Sequence, residues 1–301
     1  MARAETFQRA AAVSAVESPL RHIGSALRRV VRFFAADARH DQILALGTLL
    51  AINIGWFDFG ARPFPSFGAL GAALLTQAIC SKLWRLPRID LRSPLITGLS
   101  LCLLLRSDEP WIPAAAAAVA ILSKFLLRFD GKHIWNPAGF ALVALLLGTD
   151  HVWVSPGQWG TALWFASLLV CLAILVLQAA RRSDIAIFFL GSFAALLFWR
   201  CWWLGDPWAI PLHQLESGSL LLFSFFMISD PKTSPDSRLG RFLFALAVAL
   251  LAYWLAFSWQ LRPALFVALI ALSPIVPMID WLLPAERFQW RNSVVSAGAI
   301  P

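Results

Sequence analysis

A chain of 301 residues in which 59% are hydrophobic and 14% are charged is not an ordinary soluble domain, because such domains carry about 25% charged residues. The net charge of +8 does not indicate nucleic-acid binding, since the basic residues lie at the ends of apolar segments and not on one soluble face. The composition predicts a membrane protein, and its fifteen Trp residues suit a membrane–water interface.

Residues 1–41 are predicted to form a cytoplasmic segment. They lack the compact apolar stretch and cleavage site of a signal peptide, so we expect the first membrane span to act as the targeting signal. Residues 19–39 place apolar side chains at helical spacing with arginines between them. This pattern predicts either an amphipathic helix on an anionic membrane surface or a helix that packs on the cytoplasmic end of the bundle.

Ten apolar segments follow in the predicted membrane domain, 42–283. The first half, 42–148, holds 42–57, 66–84, 93–105, 111–128 and 134–148, and the second half, 160–283, holds 160–179, 184–203, 216–229, 242–258 and 264–283. We therefore predict an all-α integral membrane protein with ten transmembrane helices and a cytoplasmic tail at 284–301.

The basic residues predict the orientation of these spans. With both termini in the cytoplasm, the cytoplasmic stretches hold 21 Lys and Arg residues, and the outer stretches hold 4, namely Arg62, Arg106, Arg200 and Arg262. One missed or extra span would invert every later loop and remove this separation, so the positive-inside rule supports an even count of ten. We expect a multi-pass protein of the bacterial inner membrane.

Two of the ten segments are short and end alike. Segment 93–105 leads to Ser107-Asp108, and segment 216–229 ends on Ser229 and leads to Asp230. Each is the third of its five and is too short to cross a hydrocarbon core of about 30 Å comfortably. Because five is odd, matching spans of the two halves run in opposite directions, which predicts an inverted repeat with a binding site near the short segments.

The first short segment carries small and polar residues. Ser93 and Pro94 predict a helix start there, since Ser is a common cap and Pro suits the first turn. Thr97 and Gly98 are small enough to let another backbone or a flat ligand approach closely. Ordinary helix packing is the alternative interpretation of all four residues.

Asn136 stands directly before Pro137 and predicts a cap at the cytoplasmic start of the fifth span. A helix start offers N–H groups and a positive dipole end, which suit a phosphate, a carbonyl or the pyrimidine edge of a flavin. The alternative is that the cap only satisfies its own helix.

The stretch 226–235, Phe-Met-Ile-Ser-Asp-Pro-Lys-Thr-Ser-Pro, is the most specific motif. Its two prolines restrict the backbone, and the residues before them are displaced from helical geometry. Asp230, Lys232 and Thr233 crowd a span end that is predicted to lie near the inner surface. A plain polar turn is the alternative, but it would not need this density of fixed backbone and hydroxyl groups.

No metal or haem site is predicted. The cysteines have no C-x-x-C spacing and are expected to be buried small hydrophobes, at Cys80, Cys102, Cys171 and Cys201. The five histidines form no facing pair at mid-membrane in this layout, so bis-histidine haem ligation is not expected. Asp184 and Asp280 lie near span ends, so no chain of carboxylates crosses the membrane.

These motifs together resemble the RnfD/NqrB family, the flavin-bearing membrane subunits of Rnf and sodium-pumping quinone-reductase complexes. The resemblance covers about residues 42–283 and rests on Thr97-Gly98-Leu99, Lys124, Asn136-Pro137-Ala138 and 226–233. It implies ten helices in an inverted repeat and electron transfer across the membrane through bound flavin. It also implies a redox subunit, not a self-sufficient enzyme, with other subunits as partners, among them a flavin- or haem-bearing protein on the outer face.

The resemblance also implies the cofactor and its site. Family members carry FMN esterified to the threonine of a Ser-Gly-Ala-Thr motif in the outer loop after the fifth span. Thr161 lies at that place here, but its neighbours do not match, so we expect non-covalent riboflavin or FMN and not covalent FMN. The candidate flavin-binding residues are Thr97, Gly98, Asn136, Pro137, Asp230, Lys232, Thr233 and Thr161.

Two other functions stay open at this point. One is an inverted-repeat solute transporter or channel without a redox cofactor, and the other is a membrane subunit of a biosynthetic system, because a fold does not determine a function. No G-x-G-x-x-G motif occurs in a strand–turn–helix context, so an NADH-binding domain is not predicted.

Overall fold

The computed structural model describes residues 37–57, 61–129, 131–155, 157, 163–180 and 182–288, and residues 41–288 form one compact unit. The predicted helix 19–39 lies outside the described residues apart from its last three positions. Thr161 and the tail beyond 288 also lie outside them.

Helices occupy all ten predicted segments, with ends within a few residues of the predicted ones. In the first half these are α1 (Ala38–Ile52), α2 (Pro63–Leu83), α3 (Arg92–Leu104), α4 (Ile112–Leu126) and α5 (Pro137–Gly148), and α1 continues as a π-helical turn, Asn53–Phe57. In the second half they are α6 (Leu163–Ala180), α7 (Ser183–Leu204), α8 (Ala209–Leu215), α9 (Gly218–Leu222) with the π-helical turn Phe223–Met227, α10 (Arg238–Ser258), α11 (Ala264–Leu272), the 3₁₀ turn Ser273–Ile275 and α12 (Val276–Leu282).

Within the described residues, four helices are long and apolar enough to cross a membrane. They are Pro63–Leu83, Ser183–Leu204, Arg238–Ser258 and the run Ala264–Leu282. Shorter apolar helices lie between them, among them α3, α4 and α5. The protein is therefore a multi-pass membrane protein, and the count of ten spans stays a prediction.

Two small antiparallel ribbons, which the all-α prediction missed, mark the ends of the helices. Strand β1 (Leu105–Ser107) pairs with β4 (Val152–Val154), and β2 (Arg128–Phe129) pairs with β3 (Lys132–His133). Because α5 begins after β3 and ends before β4, the two ribbons lie at opposite ends of that helix. We call these the hairpin end (β2–β3) and the ribbon end (β1–β4).

Small residues form the most extensive helix contacts. Helix α2 packs along α4, and α10 packs along α7 and α11. Ala69 and Ala73 of α2 and Ala116 and Ala120 of α4 are wholly buried, as is Ala249 of α10. Small side chains let helix backbones approach closely where hydrophobic burial between helices gives little driving force.

Three local predictions have different outcomes. The Asn136 cap is confirmed, because its side chain accepts from the Gly139 N–H. The predicted Ser93 cap is wrong, because α3 begins one residue earlier, at Arg92. The Arg92 N–H donates to the Asp90 carboxylate at 3.2 Å. Cys171 is exposed on α6 and not buried, whereas the other three cysteines are buried.

Candidate functional site

The segment between the π-helical turn Phe223–Met227 and α10 is a compact turn. The carbonyl oxygen of Asp230 accepts from the N–H groups of Thr233 (3.2 Å) and Ser234 (3.0 Å), and its Oδ1 accepts from the Lys232 N–H (3.0 Å). The two prolines of the motif restrict the backbone on either side. Both hydroxyl side chains are buried as a result, so the motif is an ordered turn and not a solvated loop.

Asn136 joins this turn to the start of α5. Its Oδ1 accepts from the Gly139 N–H at 3.0 Å, which leaves Nδ2 to donate to Asp230 Oδ2 at 3.3 Å. The two residues are 94 positions apart in sequence. Gly139 also fits closely, since a Cβ there would lie 3.1 Å from Met227 Cε. The structure therefore brings together two of the predicted flavin-binding residues, one from each half of the chain.

A cavity of about 400 Å³ opens beside this turn at the hairpin end. It is walled by the β2–β3 hairpin, the turn, α12 and the chain after α12. Its polar lining is Lys132, His133, Lys232, Thr233, Asp236, Ser273, Asp280 and Arg287. The aromatic residues Phe129 and Trp281 also line it, and they are 58% and 79% exposed. The cavity thus combines hydrogen-bonding groups with exposed aromatic rings.

Asp236 links the segments around the cavity through hydrogen bonds. Its Oδ2 accepts from Lys132 Nζ at 2.7 Å, and its Oδ1 accepts from Arg182 Nη2 at 3.4 Å and from the Phe288 N–H at 3.3 Å. Its own N–H donates to Asp280 Oδ1 at 2.8 Å. A buried carboxylate needs such partners, because an uncompensated charge in a low-dielectric site is costly.

A second ion pair holds the same end of the molecule. Arg241 donates to both carboxylate oxygens of Asp184, with the shortest distance 2.6 Å, and to the carbonyl oxygen of Asp236 at 2.6 Å. From the sequence, Asp184 and Asp280 are predicted only to lie near span ends, without a partner or a role. The sequence signal for these pairs is that acidic and basic residues occur at the ends of segments predicted to lie on the same side of the membrane.

His133 lines the cavity as a neutral group. Burial lowers its pKa to about 4, and the nearby cations Lys124, Lys232 and Arg128 lower it further, against the opposing effect of Asp230. Near neutral pH its ring therefore offers one N–H donor and one acceptor. The lining cations Lys132, Lys232 and Arg287 outnumber the carboxylates of Asp236 and Asp280 without a contribution from the imidazole.

Thr97 and Gly98 make packing contacts. The Thr97 hydroxyl donates to the carbonyl oxygen of Ser93 at 3.1 Å. A Cβ on Gly98 would lie 2.9 Å from Leu70 Cδ2 of α2 and 3.6 Å from Ala73 Cβ. Neither contact involves the Asn136–Asp230 pair. The structure places Gly98 where α3 crosses α2, and Thr161 lies outside the described residues.

Lys124 belongs to a polar cluster at the same end of the bundle. Its Nζ donates to Gln77 Oε1 at 3.0 Å and to Ser93 Oγ at 2.9 Å, and Gln77 in turn donates to Ser81 Oγ at 3.2 Å. This cluster links α2, α3 and α4. Its charge is one of those that lower the pKa of His133 beyond the larger effect of burial.

Residues 148–289 match the sequence model of the NQR2, RnfD, RnfE family. This stretch is just under half of the chain, and the match supports the RnfD/NqrB family for that part. Curated relatives that are named as a subunit of an ion-translocating oxidoreductase complex agree with this. The protein of Shewanella pealeana is 24% identical over 268 residues, which are 83% of this chain and 72% of the relative. That of Cronobacter sakazakii is 32% identical over 155 residues, 50% of this chain and 42% of the relative.

A third relative of the same name, from Alcanivorax borkumensis, is 31% identical over 93 residues, 30% of this chain and 27% of the relative. The matched stretch therefore spans less than half of the Alcanivorax and Cronobacter proteins. Residues Asp230, Lys232, Asp236 and Asp280 fall inside the family match. Asn136 and the β2–β3 hairpin precede it, so the cavity draws on both parts of the chain.

Proposed function

We propose that this protein is an RnfD/NqrB-like membrane subunit of an ion-translocating redox complex and that it passes electrons across the membrane through a non-covalently bound flavin. The observation that carries the proposal is the cavity at the hairpin end, where the Asn136–Asp230 pair joins two distant segments beside Lys232 and Thr233. Relatives that are named as a subunit of an ion-translocating oxidoreductase complex support the assignment to such a complex.

The residues of the cavity fit a flavin. Its volume of about 400 Å³ lies within the range of small-molecule pockets, about 300–1,000 Å³. Trp281 and Phe129 offer aromatic faces to a flat ring system, and the Thr233 hydroxyl and the neutral His133 ring can exchange hydrogen bonds with its polar edge. When bound, a flavin supplies the capacity to accept electrons and pass them on.

The charges of the site favour a ligand that carries negative charge. The lining holds three cations, Lys132, Lys232 and Arg287, and two carboxylates, Asp236 and Asp280, and Lys124 and Arg128 lie within electrostatic reach of His133. A positive environment stabilises negative charge more strongly in a partly dry site than in water. Asp230 then acts as a positioning residue, since it holds the turn that carries Lys232 and Thr233.

The proposal includes ten spans arranged as an inverted repeat, with the hairpin end in the cytoplasm of a bacterium. Helix packing supports it: the second and fourth predicted spans (α2 and α4) form the most extensive contact of the first half. The corresponding seventh and ninth spans (α7 and α10) do so in the second half. The fifth and tenth spans, α5 and α11, contact each other across the two halves.

The proposed partners are other subunits of the redox complex. A flavin- or haem-bearing protein on the outer face would take up or supply the electrons there. The ribbon end, with β1 and β4, would be the part of this chain nearest to it.

The visible spectrum of the purified full-length protein in mild detergent tests the flavin. We expect flavin absorption that dithionite bleaches, and a lower flavin content in Asp230→Ala with normal membrane insertion. Asp108→Ala, at the ribbon end, is the matched control and should retain the wild-type content. A protein that stays colourless after incubation with riboflavin and with FMN would refute the flavin proposal.

A further inference from the structure

The turn that ends α2 has an unusual residue in its left-handed position. The N–H of Arg85 donates to the Lys82 carbonyl at 3.1 Å, and the N–H of Leu86 donates to the Ser81 carbonyl at 2.9 Å. These are the two bonds of a Schellman motif, which requires a left-handed residue after the helix. Arg85 supplies it with φ = 52°.

Helix α7 ends with the same pair of hydrogen bonds around a glycine. Gly205 donates to Trp202 at 3.4 Å, Asp206 donates to Cys201 at 3.0 Å, and Gly205 has φ = 72°. Glycine is usual at this position because a Cβ there crowds the following carbonyl oxygen. At α2 the chain accepts that strain, and an observed strain of this kind points to a use for the side chain.

The connector between α2 and α3, residues 84–91, carries positive charge without a balancing acid. Lys82, Arg85 and Arg88 are exposed. Asp90 is the connector's one carboxylate, and Arg92 binds it at 3.2 Å. Within the described part of the chain, no carboxylate forms an ion pair with Lys82, Arg85 or Arg88.

Large apolar side chains are exposed between these cations. They are Leu83, Leu86, Ile89 and Leu91. They continue an exposed apolar stripe that runs along α2 through Phe67, Leu75 and Ile79. Trp84 holds the connector to the bundle, with its ring 5.4 Å from that of Phe125. An exposed stripe along a span-length helix faces lipid, so the connector lies where that stripe meets the membrane surface.

We propose that the α2–α3 connector is a binding site for anionic phospholipid, with Arg85 and Arg88 on the headgroup phosphate and the exposed leucine and isoleucine side chains among the acyl chains. Cations beside an exposed apolar surface at a span end are the chemistry that recognises such lipids. An acidic protein partner would satisfy the cations alone, whereas the continuous apolar stripe calls for a ligand with both an anionic head and an apolar body.

The test compares lipid selectivity in the full-length protein. The wild type, Arg85→Gly, Arg88→Gln and their double variant are reconstituted in nanodiscs of phosphatidylcholine with increasing phosphatidylglycerol. The relative affinity for the two lipids is measured with spin-labelled lipids. The control is Arg62→Gln, an exposed arginine just before the opposite end of α2. Each cation near an anionic surface contributes about 1 kcal/mol, so we expect about a fivefold loss of selectivity per arginine and no loss in the control.

Arg85→Gly separates lipid binding from folding. Because glycine relieves the backbone strain, this variant should melt in pure phosphatidylcholine at or above the wild-type temperature, and the melting temperature should rise less when phosphatidylglycerol is added. Wild-type selectivity for phosphatidylglycerol in the double variant would overturn the proposal, and so would the absence of selectivity in the wild type. Both outcomes are independent of flavin content, which absorbance reports in the same samples.

Discussion

The side-chain amide of Asn136 forms two hydrogen bonds, one through its oxygen and one through its nitrogen, with different partners. Its oxygen caps α5, and its nitrogen contacts Asp230. Asn136→Asp keeps a capping oxygen but places two carboxylates together, whereas Asn136→Ala loses the cap at a cost of about 1 kcal/mol. If the pair positions the flavin site, both variants lose flavin, and both melt lower, Asn136→Ala because the cap is lost and Asn136→Asp because two carboxylates then meet in a buried site. Absorbance and thermal unfolding measure the two effects, and normal flavin content in Asn136→Asp would contradict the assigned role.

The lowered pKa of His133 predicts how the stability of the folded protein depends on pH. Its pKa is about 4 in the folded protein, below its usual 6.5, so the folded state binds fewer protons than the unfolded state between these values. The contribution of His133 to stability is therefore full above about pH 6.5 and is lost as the pH falls towards 4. We expect the melting temperature to fall over this interval, and His133→Gln to reduce that fall.

His151 provides the matched control for the pH experiment. It is exposed at the ribbon end, where its hydrogen bond to Asp108 (2.8 Å) raises its pKa. A raised pKa contributes stability at low pH that is lost as the pH rises, the opposite sign to His133. His151→Gln should therefore leave the fall between pH 6.5 and 4 in place. An unchanged profile in His133→Gln would mean that another group causes the acid sensitivity.

At the scale of helices, substitutions of Gly98 distinguish a role in helix packing from a role in cofactor binding. An alanine Cβ there would displace only the end of the Leu70 side chain, 2.9 Å away, whereas a leucine would force α3 from α2. Overpacking of this kind costs about 1–3 kcal/mol. We expect Gly98→Ala to keep its flavin and Gly98→Leu to melt lower. A selective loss of flavin in Gly98→Ala, with unchanged melting, would instead place Gly98 in the cofactor site.

Helix positions were predictable because apolar runs and caps are local signals. Asn136-Pro137 identifies the start of α5 within the sequence itself. The three-residue strands β1 and β4 were not predictable, since they form only when the ends of α3 and α5 come together. The Ser93 cap does not form for a related reason. The Arg92 N–H donates to Asp90, and Ser93 Oγ accepts from Lys124 Nζ, which is 31 positions away in sequence.

The candidate site was predictable only in part. The polar turn at 226–235 was visible as a motif, but its contact with Asn136 spans 94 positions. No sequence motif marks Lys132, Asp236 and Arg182. Their ion pairs depend on how three segments meet at the hairpin end. Long-range charge pairing of this type follows from the fold and not from local spacing.

For the whole molecule, the two ends of the helices differ in chemistry. The hairpin end holds the ion pairs of Asp184 and Asp236 and the polar cavity. Trp residues are exposed near the ribbon end, on α7 and around the ends of α8 and α10, at Trp199, Trp202, Trp203, Trp208 and Trp259. Aromatic belts of this kind lie at membrane–water interfaces. Basic residues at the hairpin end, among them Lys124, Arg128 and Lys132, predict by the positive-inside rule that this end faces the cytoplasm.

Single cysteines in a variant without the four native cysteines test this topology and the count of ten spans. Positions 62, 108, 150, 206 and 262 lie in successive predicted outer connections, and 85, 131, 238 and 286 lie in inner ones. In spheroplasts, a membrane-impermeant maleimide should label the outer set at once and the inner set only after lysis. Complete inversion of the two sets would reverse the orientation but keep the ten spans. A switch part-way along either set would show that a segment between the discordant positions does not cross the membrane, because each span must change the side on which the next connection lies.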